Sequence, residues 1–229
     1  MPTPSAPLAR TPLHHWHARH GARFIESDGW QLAAVYSSID REVAAARSGL
    51  ALADISAFAK TSWRGAGVPA LAGALAGDSA ASRPRGVATL PTNGPALACR
   101  LTGDHLLLLA PTTADRLPEV ADSLATVRSD VTSAYAGFGL IGPRTEEALR
   151  HVTPLDVSQA ALPAGSCAET SLAGVHALLV RPPETALPAV QIYIAWDLGE
   201  YVWERLLDAG RGFGLAPVGL EGWRALLAQ

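Results

Sequence analysis

The side chains that could act on a substrate are few. Cys99 and His105 fall on neighbouring predicted strands and could serve as a thiol nucleophile and its base. A free cysteine is more often a small buried hydrophobe, which is the competing reading for Cys99. Asp104 stands beside His105 in the stretch TGDH, where an aspartate equally suits a hairpin turn. His14, His15, His17 and His20 crowd around Trp16, but no cysteine or acid stands at ligand spacing nearby, so no metal site is expected and an N-terminal helix with partly exposed histidines is. There is no phosphate-binding loop. Gly137-Phe138-Gly139 and Gly210-Arg211-Gly212 are too short for a dinucleotide fingerprint.

The chain around these residues is apolar and weakly charged. Of 229 residues, 48% are hydrophobic and 17% charged, with a formal net charge of -3. Lys60 is the one lysine and arginine carries the remaining positive charge, which disfavours nucleic acid as a partner and suits carboxylate or phosphate recognition. Cys99 and Cys167 make neither a disulfide framework nor a zinc site. The start, MPTPSAPLAR, lacks the pattern of a signal peptide, and no apolar run is long enough to span a bilayer. The expected setting is the cytoplasm, with residues 1–9 disordered.

The elements that position these groups follow from local pattern. Ser37 and Ser38 offer helix caps, Glu42 falls in the first turn, Ile39, Val43, Ala46 and Leu50 recur at helical spacing, and Gly49 stops the helix. Residues 50–55 exit as a short strand. Beyond them two similar series appear, about 59–128 and 133–210. The first runs strand 60–64, Gly65, helix 68–75, strands 86–90, 96–101 and 106–110, then helix 113–125. The second runs strand 138–141, Gly142-Pro143, helix 145–151, strands 167–172, 175–181 and 190–196, then helix 198–207. Runs such as LLLLA and HALLV read as strands buried on both faces. The expected fold is α+β: two related halves, each an antiparallel sheet with helices on one side, with strands 60–64 and 138–141 equivalent.

The stretch 10–56 is specific enough to compare with a family. Arg10-Thr11-Pro12-Leu13, HARHGARF (17–24), Gly29-Trp30 and the run from Tyr36 to SGLALADIS (48–56) resemble, in order and spacing, the amino-terminal region of the glycine-cleavage T-protein, a tetrahydrofolate-dependent aminomethyltransferase. In the second half GLIGP (139–143), Pro154-Leu155-Asp156, CAET (167–170) and residues 192–210 resemble the gamma subunit of heterotetrameric sarcosine oxidase, itself T-protein-like. The resemblance implies one folate-binding domain over 10–229 and a cofactor, tetrahydrofolate, held by Phe58, Asn93, Thr185, Tyr193 and Arg224. It also implies a C-terminal barrel that would follow residue 227 and is not in this chain.

Departures from the family pattern fall at its chemistry. In the hairpin 90–101, Asn93-Gly94 keeps the turn, but Ala98 and Cys99 stand where the family's catalytic acid is expected. That leaves Cys99 and Asp104 as the catalytic candidates. Leu187 takes the place of a pterin-clamping glutamate, and Leu227 that of an arginine for which Arg224 is a substitute one turn earlier. Charge-assisted hydrogen bonds contribute about 1.5–3 kcal/mol each. Losing two weakens folate about a hundred- to ten-thousand-fold unless something compensates. Three functions follow from the resemblance: a folate-binding module completed by a partner, a non-catalytic subunit of an amine-oxidising complex, or a stand-alone one-carbon transferase with altered residues. The partner expected is a second copy or a separate flavoprotein or barrel-domain subunit. It would cover an apolar surface formed by Leu215, Val218, Leu220, Trp223, Leu226 and Leu227.

Overall fold

The computed structural model describes residues 7–77, 79–90, 96–111 and 125–227. The expected helix 113–125 and the Asn93-Gly94 turn therefore lie outside the described residues, apart from Ala125. The chain opens with β1 (Ala9–Arg10), α1 (His14–Arg19), β2 (Arg23–Ser27) and β3 (Trp30–Val35), the strands forming a small sheet in the order β1-β3-β2. Ala9 pairs with Trp30, inside the stretch expected to be disordered. Next come α2 (Ile39–Ser48) and β4 (Leu50–Asp54). The cap is where the sequence puts it: Ser38 Oγ accepts from Arg41 N at 3.4 Å, and Gly49 ends the helix. Glu42 does more than face the helix dipole. It is buried, and its carboxylate accepts from the backbone N–H groups of Tyr36, Ser37 and Gly219 at 2.6, 3.1 and 2.9 Å.

Two larger sheets follow. The first half contributes β5 (Ala59–Arg64), α3 (Val68–Ala76), β6 (Val87–Thr89), β7 (Leu97–Thr102), β8 (His105–Ala110) and β9 (Val127–Asp130). The second contributes β10 (Tyr135–Ile141), α4 (Thr145–Leu149), β11 (Ser166–Leu172), β12 (Val175–Arg181), β13 (Ala189–Ala195), α5 (Gly199–Gly210), β14 (Leu215–Val218) and α6 (Leu220–Leu227). The strand orders are β6-β7-β8-β5-β9 and β11-β12-β13-β10-β4-β14. The opening strand of each half, β5 or β10, pairs antiparallel with the closing strand of its meander, β8 or β13. After each comes a glycine at positive φ, Gly65 (132°) or Gly142 (145°), where a Cβ would fall 2.4 or 2.5 Å from a backbone oxygen. A helix begins three residues later, and its first N–H donates back to that glycine's carbonyl at 3.1 and 3.2 Å. The related halves expected from the sequence are thus built on one plan. Within each half the strand pairings are antiparallel, as expected, and the six-stranded sheet is extended from outside residues 133–210 by β4 and by β14, which pairs parallel with β4.

The sheets bury three cores. Even-numbered residues of β8 (Leu106, Leu108) pack under α3, whereas Leu107 and Leu109 face a shared core that holds Val180, Tyr193 and Trp223. The outer face of the six-stranded sheet packs Phe138, Leu140 and Ile192 against Trp16 of α1 and Trp203 of α5. Helix, sheet, sheet, helix is the layer order, and inner strands are buried on both faces as their sequences suggest. Where the sheet edges meet, Gly86 bridges Ser166, Val87 N donates to Gly165 O at 2.8 Å, and Cys167 N donates to Arg85 O at 2.9 Å.

One expectation fails here. Val218, Leu220, Trp223 and Leu226 are buried rather than presented outward, because β14 completes the six-stranded sheet and α6 packs on α2 and β3. The exposed large hydrophobics among the described residues, Ile39, Val127 and Tyr201, lie on α2, β9 and α5, none of them in this tail. The histidines around Trp16 are partly exposed as expected, His15 and His20 facing outward and His14 half-buried, while His17 is 1% exposed, with Nε2 2.9 Å from Asp54 Oδ2 and Nδ1 2.5 Å from the Tyr36 hydroxyl. Among the described residues no three metal-ligating side chains cluster, and no helix is long and apolar enough to cross a membrane. The docking of α6 makes a sharp prediction. A Cβ on Gly139 would lie 2.4 Å from the Trp223 ring, so Gly139→Ala is expected to cost about 1–3 kcal/mol in urea unfolding. An unchanged midpoint would mean that Trp223 does not sit on Gly139.

Candidate functional site

The chain crosses from the six-stranded to the five-stranded sheet through residues 55–58 and returns through 131–134. Backbone groups entering the shared core there need partners. Ile55 N donates to Gly137 O at 2.9 Å, and Ser56 Oγ accepts from Gly137 N at 3.1 Å. Asp54 Oδ1 accepts from Ser56 N at 2.9 Å. Burial pushes the Asp54 carboxyl up, but hydrogen bonds from His17, Ser56 and Thr11 outweigh it and hold the group below the usual carboxylate range. Lys60, the single lysine, is fully buried between the crossings.

Beside the outward crossing, a narrow slot of ≈ 510 Å³, its open mouth included, lies between the two sheets. Phe58, Leu97, Leu109 and Leu227 form apolar walls, Gln191 lies at the inner side, and Thr185 and Glu184 lie at the rim. Pro182, Glu184, Thr185 and Leu227 are shared with an adjoining open groove of ≈ 1360 Å³ that also takes in Leu187, Glu146 and Arg181. Gln191 is 7% exposed, and its Oε1 accepts from the Tyr193 hydroxyl at 2.7 Å. That bond turns the amide N–H₂ away from Tyr193, leaving donors for the slot. The Arg181 guanidinium in the groove is already engaged: one nitrogen donates to Glu146 (3.1 Å) and Gln159 (2.7 Å), another to Val157 O (2.6 Å).

The sequence-derived candidates separate clearly in space. Phe58 and Thr185 line the slot together. Tyr193 stands behind it, 1% exposed, and acts on it through Gln191. Arg224 is exposed on α6 and outside the slot's lining, whereas Leu227 is in its wall. Asn93 lies outside the described residues. Cys99 is fully buried in the shared core, and burial raises its thiol pKa well above the ordinary value. His105 Nε2 is paired with Ser62 Oγ at 3.0 Å. Asp104 is exposed in the β7–β8 turn, where Thr102 Oγ1 donates to it at 2.6 Å and lowers its pKa. Neither Cys99 nor Asp104 lines the slot. Gln191 and Lys60 were missed. A glutamine between Val190 and Ile192, and a lone lysine opening a strand, were the available signals.

Comparison with known proteins places the chain. The GCVT N-terminal domain family matches residues 13–227. An aminomethyltransferase from Moorella thermoacetica is 30% identical over 229 residues, covering 94% of this chain and 62% of that protein. The chain thus spans about 62% of the length of that relative. The crystal structure of glycine cleavage system aminomethyltransferase T from Bartonella henselae aligns with TM-score 0.77 at 20% identity, over 96% of this chain and 62% of that one. Heterotetrameric sarcosine oxidase from Corynebacterium sp. U-96, solved with pyrrole 2-carboxylate, aligns with TM-score 0.61 at 18% identity, over 91% of this chain and 97% of that one. Both structures share its fold.

The placement of the cysteines is testable. Cys99 and Cys167 are free and buried, and burial pushes the Cys167 thiol up to about 12. A thiol reagent at neutral pH should therefore modify neither residue in the native protein, and both after denaturation. Rapid native-state labelling of Cys99 would restore it as a candidate nucleophile.

Proposed function

The chain belongs to the GCVT N-terminal domain family, and on that premise we propose that it is a tetrahydrofolate-binding module of one-carbon metabolism, with the slot between the sheets as its site. The observation that carries this reading is the slot itself, with apolar walls at Phe58, Leu97 and Leu109 and an oriented amide at Gln191. A reduced pterin has a flat ring and an edge that mixes a carbonyl with N–H donors. Phe58 and the leucines would take the ring, Gln191 would donate to the carbonyl, and Glu184 at the rim would accept from N–H groups. The glutamate tail fits less well. Arg181 is the cation of the adjoining groove, and its guanidinium is held by Glu146, Gln159 and Val157.

Catalysis by the chain alone is not part of this proposal. The carboxylate of the slot lining is Glu184, at the rim. An aminomethyl transfer needs an acid–base group in contact with the reacting atoms. A second reading is favoured by one observation: the matched chain of the Corynebacterium heterotetramer is covered over 97% of its length. On that reading the chain is a non-catalytic subunit of an amine-oxidising assembly.

Calorimetric titration with tetrahydrofolate tests the first reading. Saturable binding is expected. Gln191→Leu should weaken it about five- to tenfold, the loss of one neutral hydrogen bond. Tetrahydropteroate, which lacks the glutamate tail, should bind within about threefold of tetrahydrofolate because, among the described lining residues of the slot and groove, the one cation, Arg181, is already engaged. Absence of saturable binding would remove the folate reading. Native mass spectrometry of the chain purified from its host separates the second: a fixed-stoichiometry complex carrying flavin supports it, and an isolated chain at every concentration opposes it.

A further inference from the structure

Lys60 joins the two halves to the slot. Its ammonium donates to Ser56 O at 2.8 Å and Phe58 O at 2.9 Å on the outward crossing, and to Thr132 O at 3.4 Å on the return crossing. Its backbone N–H donates to Thr132 Oγ1 at 3.0 Å. On its other side the ammonium faces the Tyr193 ring, 5.8 Å from the centroid. The charged groups nearest to it are engaged elsewhere: Asp54 with His17 and Ser56, Asp130 with the Thr132 N–H. Three donors on a fully buried side chain therefore meet three backbone carbonyls with no carboxylate among them.

We propose that Lys60 is the positioning residue of the slot: its charged ammonium sets one wall through the Phe58 carbonyl and the other through Tyr193 and Gln191. The effect on ligand affinity rests on reading the slot as the folate site, whereas the effect on the walls does not. A neutral amine has one N–H fewer than the three carbonyls need and no longer attracts the face of Tyr193. Removing the charge therefore loosens Phe58 and Gln191 together.

The protonation range makes this measurable. Burial lowers the Lys60 pKa to about 7, against the pull of Asp54 and Asp130. The unfolded chain keeps its lysine charged to about pH 10.4. Between these limits the unfolded state binds more protons, so the Lys60 contribution makes folding stability rise with pH. Positioning predicts the opposite trend for ligand affinity, which falls through the same window. A residue that served stability alone would move the two together.

The experiment follows tetrahydrofolate affinity and the urea midpoint at about pH 6 and about pH 9, for wild type and Lys60→Met. In the wild type, affinity should fall at least about tenfold as the competent fraction shrinks, while the urea midpoint rises relative to that of Lys60→Met, in which the other titrating groups are unchanged. Lys60→Met should bind weakly with a flat pH response. A wild-type measurement covers the case in which the variant does not fold: the Gln191 side-chain amide NMR signals should shift with a midpoint near that of Lys60. If those signals titrate but folate binds at no pH, the positioning role stands and the folate reading falls. Amide signals that do not titrate, or wild-type affinity that rises with the urea midpoint, would overturn the proposal.

Discussion

Two sheets packed face to face share one apolar core, and the chain must pass through that core twice to build both. Each passage carries peptide groups away from water, where an unpaired carbonyl is costly. The ammonium of Lys60 answers this for both passages at once, by donating to the carbonyls of each. Asp54 and Ser56 continue the same polar thread, through His17 to the N-terminal helix and through Gly137 to the central strand β10. The apolar packing of the halves can be close because this narrow line satisfies the groups that interrupt it.

Local signals in the sequence located most elements and few of their long-range relations. The helix 39–48 was legible because its serine cap and terminal glycine act within a few residues. The strand 105–110 was legible because five consecutive apolar side chains admit burial on both faces. The equivalence of the halves was visible as a glycine turn, Gly65 and Gly142, placed alike after the first strand of each. The parallel pairing of β14 with β4 joins residues more than 160 positions apart (215 against 50) and leaves no trace in either segment. The burial of His17 was not legible for the same reason, since it depends on Asp54 and Tyr36 reaching it from other parts of the chain.

The site was legible in part. The family resemblance pointed to Phe58 and Thr185, which meet in the slot, and to Arg224, which does not. It also pointed to Tyr193, which is buried and reaches the slot through its hydrogen bond to Gln191. Periodicity hid Gln191, because in an apolar strand a single amide looks like an interruption. Composition flagged Lys60 only as a scarcity of lysine. Its setting among three carbonyls follows from how the crossings fold, which no short window contains.

The carboxylate of Glu42 has a consequence for the order in which the molecule can be made. It holds the N–H groups of Tyr36 and Ser37, just ahead of α2, and also that of Gly219, and its helix packs on α6. β4, one strand in from the edge of the six-stranded sheet, likewise receives β14 from near the other end of the chain. The five-stranded sheet draws its strands from residues 59–130 alone and can close while synthesis continues. The six-stranded sheet cannot, and Gly139 waits for Trp223. During synthesis residues 9–54 emerge before the β14 and α6 that cover them, so until residues 215–226 are made they present an uncovered apolar surface.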